Sequence, residues 1–231
     1  MNLQLQETED GSHTLFLPEQ NEHYHSTHGS IQEARVVYIQ AALQRAFQCF
    51  RNGIIPGIQV LEMGFGTGLN AFLTALEAER NQIPVEYTAI EAYPLEKEIW
   101  EQLNYARCLG RSQEEFSQLH LQAFDGKKHC LSPWFSLAKI HGLIQDTHLP
   151  DSRFHAIYYD AFAPSVQPEL WTLPIFKKLR EAAASPGFLS TYCAQGQFKR
   201  NLREAGFAVV GLPGPAGKRE ITLGCTGRSL P

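Results

Sequence analysis

Three acidic residues each close an apolar run, which is where an α/β sheet presents chemistry. Glu62 follows Ile58, Val60 and Leu61; Glu91 ends Val85-Glu-Tyr-Thr-Ala-Ile; Asp160 ends Phe154-His-Ala-Ile-Tyr-Tyr. Behind Glu62, glycines recur at alternate positions (Gly64, Gly66, Gly68), and Leu69, Phe72, Leu73 and Leu76 follow at the spacing of a buried helix face. A strand, a glycine turn and a helix open a nucleotide pocket at the carboxyl end of a parallel strand. Glycine admits positive φ and close ligand approach, and the helix amino terminus adds free N–H groups. The spacing E-x-G-x-G-x-G differs from the G-x-G-x-x-G of dinucleotide folds. An acid just before the loop repels a pyrophosphate and suits a cationic amino or sulfonium group. Glu91 lies about 20 residues beyond the glycines, where such folds place an acid for ribose hydroxyls.

The elements that must hold these residues follow from periodicity. Thr14–Leu17 reads as a short β element, followed by a loop with His23, His25 and His28. These histidines lack a helical pair or a companion cysteine, so no metal site is expected. Ser30 and Glu33 have the spacing of a capping box. The helix behind them carries Val36, Ile39, Leu43, Phe47 and Phe50 and stops at Asn52-Gly53. Val85–Glu91 is the second sheet strand, and Pro94 starts a helix expected to reach Tyr105. Phe116–Phe124 and Gly142–Ile144 both allow a strand reading; Phe135–His141 is taken as strand three and 116–132 as an excursion. After Asp160-Ala-Phe-Ala-Pro164 come a helical turn at Pro168, a helix to Ala184, a turn at Ser185-Pro-Gly187, strand Phe188–Cys193 and a basic helix Gln197–Ala205. Ala208–Leu212 and Ile221–Cys225 are joined by too short a loop for a crossover, so they pair antiparallel. The expected fold is an α/β, Rossmann-like class I methyltransferase architecture: a mostly parallel seven-stranded sheet ending in an antiparallel hairpin. Residues 1–52 are expected to form an amino-terminal β element, loop and capping helix, and 53–231 the main domain.

At 231 residues and 43% hydrophobic, the chain can bury one full core. It has no apolar run of the roughly 18 residues a membrane span needs. Its start lacks a basic segment and an apolar core, so no signal peptide is expected. The five cysteines are scattered with no C-x-x-C, which suits reduced thiols in a cytoplasm. From Leu170 onward nine Lys/Arg face three Asp/Glu, although the whole chain carries a net charge of -4. Such a basic third can face phosphates.

The glycine motif resembles motif I of S-adenosylmethionine (SAM)-dependent methyltransferases. Glu62-Met-Gly-Phe-Gly-Thr-Gly-Leu-Asn70, Asp160-Ala-Phe-Ala-Pro164 with Pro168-Glu-Leu-Trp171, and Gly217-Lys-Arg-Glu220 together resemble the methyltransferase module of the MnmC family. That family acts in the bacterial biosynthesis of tRNA 5-methylaminomethyl-2-thiouridine. In its bifunctional members a flavin-dependent oxidase module follows; with the chain ending at Pro231, the expectation is a stand-alone module without that activity, and a separate oxidase partner is left open. The resemblance implies methyl transfer from SAM to the aminomethyl group of a wobble uridine in tRNA. It assigns Glu62, Gly64, Gly66, Thr67, Gly68 and Asn70 to the cofactor cradle and Glu91 to the ribose. Tyr24, Ser26 and Gln32 would cap the cofactor, and Asp160 would act in catalysis. An Asp expected on the adenine side is replaced by Leu143. Two other readings stay open: a transferase of the same fold acting on a small amine (methyl or aminopropyl), and a non-enzymatic module binding SAM or tRNA beside an oxidase.

Overall fold

The computed structural model describes residues 3–227. Strands β1 (Gln4–Glu7), β2 (His13–Leu17) and β3 (Glu22–His23) form a small antiparallel sheet of their own. The main sheet contains β4 (Ile58–Met63), β5 (Val85–Glu91), β6 (His129–Ser132), β7 (Phe135–His141), β8 (Phe154–Tyr159), β9 (Ala183–Thr191), β10 (Ala208–Pro213) and β11 (Glu220–Thr226). Its order is β10-β11-β9-β8-β4-β5-β7-β6. The five central strands β9, β8, β4, β5 and β7 are parallel, and β11 runs antiparallel between β9 and β10. The expected mostly parallel sheet and closing hairpin are both present. The eighth strand, β6, pairs antiparallel with β7 on the far edge.

Both faces of the sheet are covered, which is why the central strands read as nearly continuous apolar runs. Side chains alternate along a strand, so Val60 and Tyr158 join one core with Val37, Phe47 and Phe72, while Leu61 and Tyr159 join another with Phe176 and Phe198. The first core lies under the helix over 30–51 and helix Leu69–Asn81; the second lies under Leu173–Ala182 and Gly196–Glu204.

Several elements differ from the sequence reading, each for a local reason. The 30–51 helix is capped by Gly29, and Ser30 makes no side-chain cap. The Ser30 hydroxyl instead donates to the His13 carbonyl at 3.0 Å, and the Glu33 carboxylate accepts the Ser26 N–H at 2.7 Å and pairs with Lys218. Arg35–Leu43 within this helix is π-wound, a widening that often marks a functional position. The helix expected from Pro94 to Tyr105 is two short pieces, Lys97–Trp100 and Tyr105–Cys108. Between them Asn104 leaves the helical path to tie down the amino-terminal sheet, accepting the His13 N–H at 2.8 Å and donating to the Gly11 carbonyl at 2.9 Å. The strand reading of Phe116–Phe124 gives way to helix Gln113–Leu121, opened by a true capping box of Ser112 and Glu115. Gly142–Ile144 is not a strand. Ser185–Gly187 is no chain reversal but lies inside β9, where the register with β8 shifts. Pro174 sits in the first turn of its helix, where it costs no hydrogen bond.

Candidate active site

A cleft of about 770 Å³ opens at the carboxyl ends of β4, β5 and β8, between the glycine loop, the 22–27 segment and the 161–170 loop. That volume suits a nucleotide-sized ligand, since such pockets span roughly 300–1,000 Å³. The glycine loop forms its floor. Gly64 has φ +87, and a Cβ there would lie 2.9 Å from the Asp160 carbonyl oxygen. Gly66 has φ +48; its N–H donates to Glu91 Oε2 at 2.8 Å, and a Cβ would lie 3.4 Å from the Tyr24 ring. A side chain at Gly64 would run into the end of β8, and one at Gly66 would crowd Tyr24. Gly68 serves the turn instead: it caps the Leu69–Asn81 helix, packs under His120 and does not line the cleft.

Glu91 binds two loops together. Its Oε1 accepts the Tyr93 N–H and its Oε2 the Gly66 N–H, both at 2.8 Å. A carboxylate has about four acceptor sites, so capacity remains for ribose hydroxyls. Tyr24, Ser26, Thr67 and Asn70 also line the cleft. Burial and the nearby Glu91 charge push the Tyr24 phenol up to about 12, so it stays protonated. Thr67 is held by His25 Nε2 at 2.8 Å, and burial pushes that imidazole down to about 4. Gln32 does not join this group: it is exposed, with its backbone N–H on Asp10. Glu62 lies wholly buried beneath the loop and does not line the cleft. On the side where Leu143 replaces the expected Asp, Leu143 and Tyr93 form a largely exposed apolar wall.

Asp160 stands at the mouth of β8, partly open to the cleft. Its backbone N–H reaches the Met63 carbonyl at 3.1 Å. Tyr38 OH donates to Oδ1 at 2.5 Å and Asn70 Nδ2 to Oδ2 at 2.8 Å. Burial raises its pKa most, opposed by the Tyr38 bond; the Glu33 charge adds to the rise, and the net value is pushed up to about 7. The following loop is fixed from below. Tyr192 OH donates to the Ala161 carbonyl and Trp171 Nε1 to the Phe162 carbonyl, both at 2.8 Å. Lys218 sits 4.2 Å from the Tyr192 ring centroid and pairs with Glu33.

Tyr38, Tyr192 and the Glu33–Lys218 pair escaped the sequence reading. Tyr38 lies in the π-wound turn, where helical spacing misassigns faces. Lys218 stood in a motif already noted but was assigned to the phosphate-facing third. Of that basic third, Lys199 pairs with Glu220 at 2.6 Å, Lys178 donates to the Ile144 and Gln145 carbonyls, and Arg180 donates to the Gly206 carbonyl. Lys177, Arg200, Arg203 and Arg219 are exposed and have no ion-pair partner among the described residues. His23 and His28 have separate partners, Gln6 and Glu9, and no metal-ligating cluster exists among the described residues. No helix among them is long and apolar enough to cross a membrane.

A parallel sheet closed by an antiparallel hairpin, with a triple-glycine loop beside the acid that ends the next strand, defines a SAM-dependent methyltransferase. The sequence model described as S-adenosyl-L-methionine-dependent methyltransferase matches residues 105–226, and the chain belongs to that family. The chain is 31% identical over 221 residues to the tRNA 5-methylaminomethyl-2-thiouridine biosynthesis bifunctional protein MnmC of Aeromonas hydrophila. It is also 31% identical over 217 residues to MnmC of Pseudomonas paraeruginosa. In both cases the match covers 87% of this chain and 32% of the relative, so the chain spans about a third of these relatives' length. Among solved structures, MnmC2 from Aquifex aeolicus superposes with a TM-score of 0.75 at 23% identity, over 100% of this chain and 72% of that one. Spermidine synthase from Thermotoga maritima gives 0.51 at 14% identity, over 94% and 69%. The structural likenesses carry the fold.

The site fits the cofactor on its own terms. The cleft is large enough, Gly64 and Gly66 line it with positive φ and no side chains, and Glu91 keeps free acceptor positions.

Proposed function

We propose that this protein methylates the primary amine of a 5-aminomethyl group on wobble (2-thio)uridine in tRNA. The single observation that supports it most is Asp160, held by Tyr38 and Asn70 beside the cofactor cradle at the cleft mouth. The likeness to MnmC relatives supports the choice of acceptor.

Gly64, Gly66, Thr67 and Glu91 hold the cofactor from the sheet side, and Tyr24 and Ser26 cover it. When bound, SAM supplies an electrophilic methyl group. The acceptor arrives as an alkylammonium, whose pKa lies near that of Lys, about 10.4, against about 3.9 for an ordinary Asp. With Asp160 at about 7, that gap shrinks to roughly three units. Asp160 therefore takes the proton far more readily than a solvated carboxylate, leaving the nitrogen lone pair free. Tyr38 and Asn70 fix its oxygens, and near-attack positioning supplies much of the rate. The Ala161 carbonyl already accepts Tyr192 and retains one lone pair as a second anchor for the amine.

Exposed Lys177, Arg200, Arg203 and Arg219 would contact the tRNA backbone. A separate oxidase would supply the aminomethyl acceptor, in the cytoplasm where tRNA is modified. Nucleoside mass spectrometry tests the proposal: purified protein, SAM and tRNA bearing 5-aminomethyluridine should yield the methylaminomethyl nucleoside. Conversion of a free polyamine by decarboxylated SAM, with none of the tRNA, would replace it with the small-amine reading.

A further inference from the structure

Glu62 is a buried acid that the mechanism above leaves unused. It points from β4 to the same side as Val60, beneath the glycine loop, and has no solvent exposure. Neither carboxyl oxygen has a partner at hydrogen-bond geometry, although the Asn70 amide and the Tyr87 hydroxyl lie beside it, and no ion pair reaches it among the described residues. The groups facing it are Tyr87 and Glu91 from β5, Tyr158 and Asp160 at the end of β8, and Asn70 from the helix after the loop. All are neutral or acidic. The Tyr158 hydroxyl is engaged with Thr74 at 3.1 Å, and one of the two Asn70 Nδ2 hydrogens is given to Asp160.

Four buried polar atoms are thus left over on three neighbouring side chains: both Glu62 oxygens, Asn70 Oδ1 and Tyr87 OH. Among them only the Tyr87 hydroxyl carries a proton to donate. A proton on Glu62 supplies a second donor and removes a charge that nothing nearby neutralises.

We propose that Glu62 is held as a neutral carboxylic acid and acts as a positioning residue behind Asp160, leaving Asp160 the one titrating carboxyl of the pair. This rests on the reading of Asp160 as the proton acceptor. Burial pushes the Glu62 carboxyl well up, and the Asp160 charge adds to it, while Asn70 and Tyr87 only partly offset the rise. Two carboxylates sharing a site cannot both ionise readily. Were Glu62 charged, Asp160 would be driven higher still and stay protonated at neutral pH, unable to accept a proton from the amine.

Infrared spectroscopy of the purified full chain at neutral pH is the test, with glutamate carboxyls isotopically labelled. The unsubstituted protein should show a protonated-acid C=O band that shifts with the label and disappears in Glu62→Gln. No substitution is needed for the first reading, so a poorly folding variant cannot blunt it. In Glu62→Gln, whose amide keeps an acceptor and replaces the acid O–H with N–H donors, the rate of methyl transfer should change by no more than roughly tenfold, the worth of one reoriented hydrogen bond. The pH at which half the activity is lost should stay where it is in the parent. A missing labelled band, or a half-activity pH that drops by about one unit or more as removal of a neighbouring negative charge would produce, overturns the proposal. The band does not depend on the acceptor, so failure of the tRNA reading would leave it intact.

Discussion

The two halves of the cleft are built by opposite means. The half proposed for the cofactor is local and made mostly of backbone: β4, the glycine loop, its helix and Glu91 occupy one stretch from Ile58 to Glu91, rich in N–H groups and glycines. The half proposed for the acceptor is made of side chains brought from afar. Tyr38 meets Asp160 across 122 positions and Asn70 across 90, while Lys218 meets Glu33 across 185. A backbone cradle tolerates no added atom. A side-chain environment tunes a pKa and fails by degrees.

The sharpest break in this comparison comes from the cradle. Gly66→Val should abolish SAM binding in calorimetry, because a β-branched residue at φ +48 is strained and fills the space under Tyr24. Gly110→Val is the control: φ is +68, but nothing lies within 4 Å of its Cβ. It should lose stability and keep SAM affinity; equal loss at both sites would make backbone strain, not the cradle, the cause.

On the acceptor side, losses should be graded. Tyr38→Phe removes a donor from the Asp160 carboxylate, so the acid holds its proton more tightly. The acidic limb of the methyl-transfer profile should move up by about one to two pH units, since a hydrogen bond to a charged group is worth about 1.5–3 kcal/mol. A limb that stays put would separate Tyr38 from the titration. Asp160 also links stability to pH. Its folded pKa, about 7, exceeds the ordinary 3.8, so the folded chain binds that proton more tightly than the unfolded one. The resulting stability is complete below pH about 4 and lost as pH rises through about 7. Thermal unfolding of Asp160→Asn should lack this decline between the two values; an unchanged slope would mean that the carboxyl is not perturbed.

The smallest effect is expected at the surface. Charge reversal at Arg200 or Arg203 should flatten the salt dependence of tRNA binding by roughly 0.7–0.9 in log–log slope per lost phosphate contact. Lys199 is a poor probe, because its ion pair with Glu220 holds the hairpin. An untouched slope at both arginines would make this helix an ordinary solvated face.

How much of this was legible follows the same division. β5 and β7 occupy the spans read from alternation and apolar runs, and the glycine loop announced itself by spacing. One motif succeeded and failed within the chain. Ser112 and Glu115 form a capping box, with the Ser112 hydroxyl accepting the Glu115 N–H at 3.3 Å, and it opens a helix into the stretch taken as an excursion, whose apolar residues also allowed a strand. Ser30 and Glu33 have the same spacing and form none, because Ser26 and Lys218 capture Glu33. A local signal holds where no distant partner competes for its side chain. Tyr38 was hidden for a related reason: the π-wound turn changes which residues share a face.

The central claim is that Asp160 accepts the amine proton in methyl transfer to aminomethyluridine tRNA. The most direct measurement is single-turnover transfer by Asp160→Asn, with SAM affinity determined on the same preparation. The substitution keeps the side chain's size and removes its ability to hold the amine proton. The account predicts SAM binding close to that of the parent and a transfer rate lower by the roughly 10²–10⁴ that a positioned acid–base group contributes. A folded, SAM-binding Asn variant that transfers methyl at near the parent rate would contradict it.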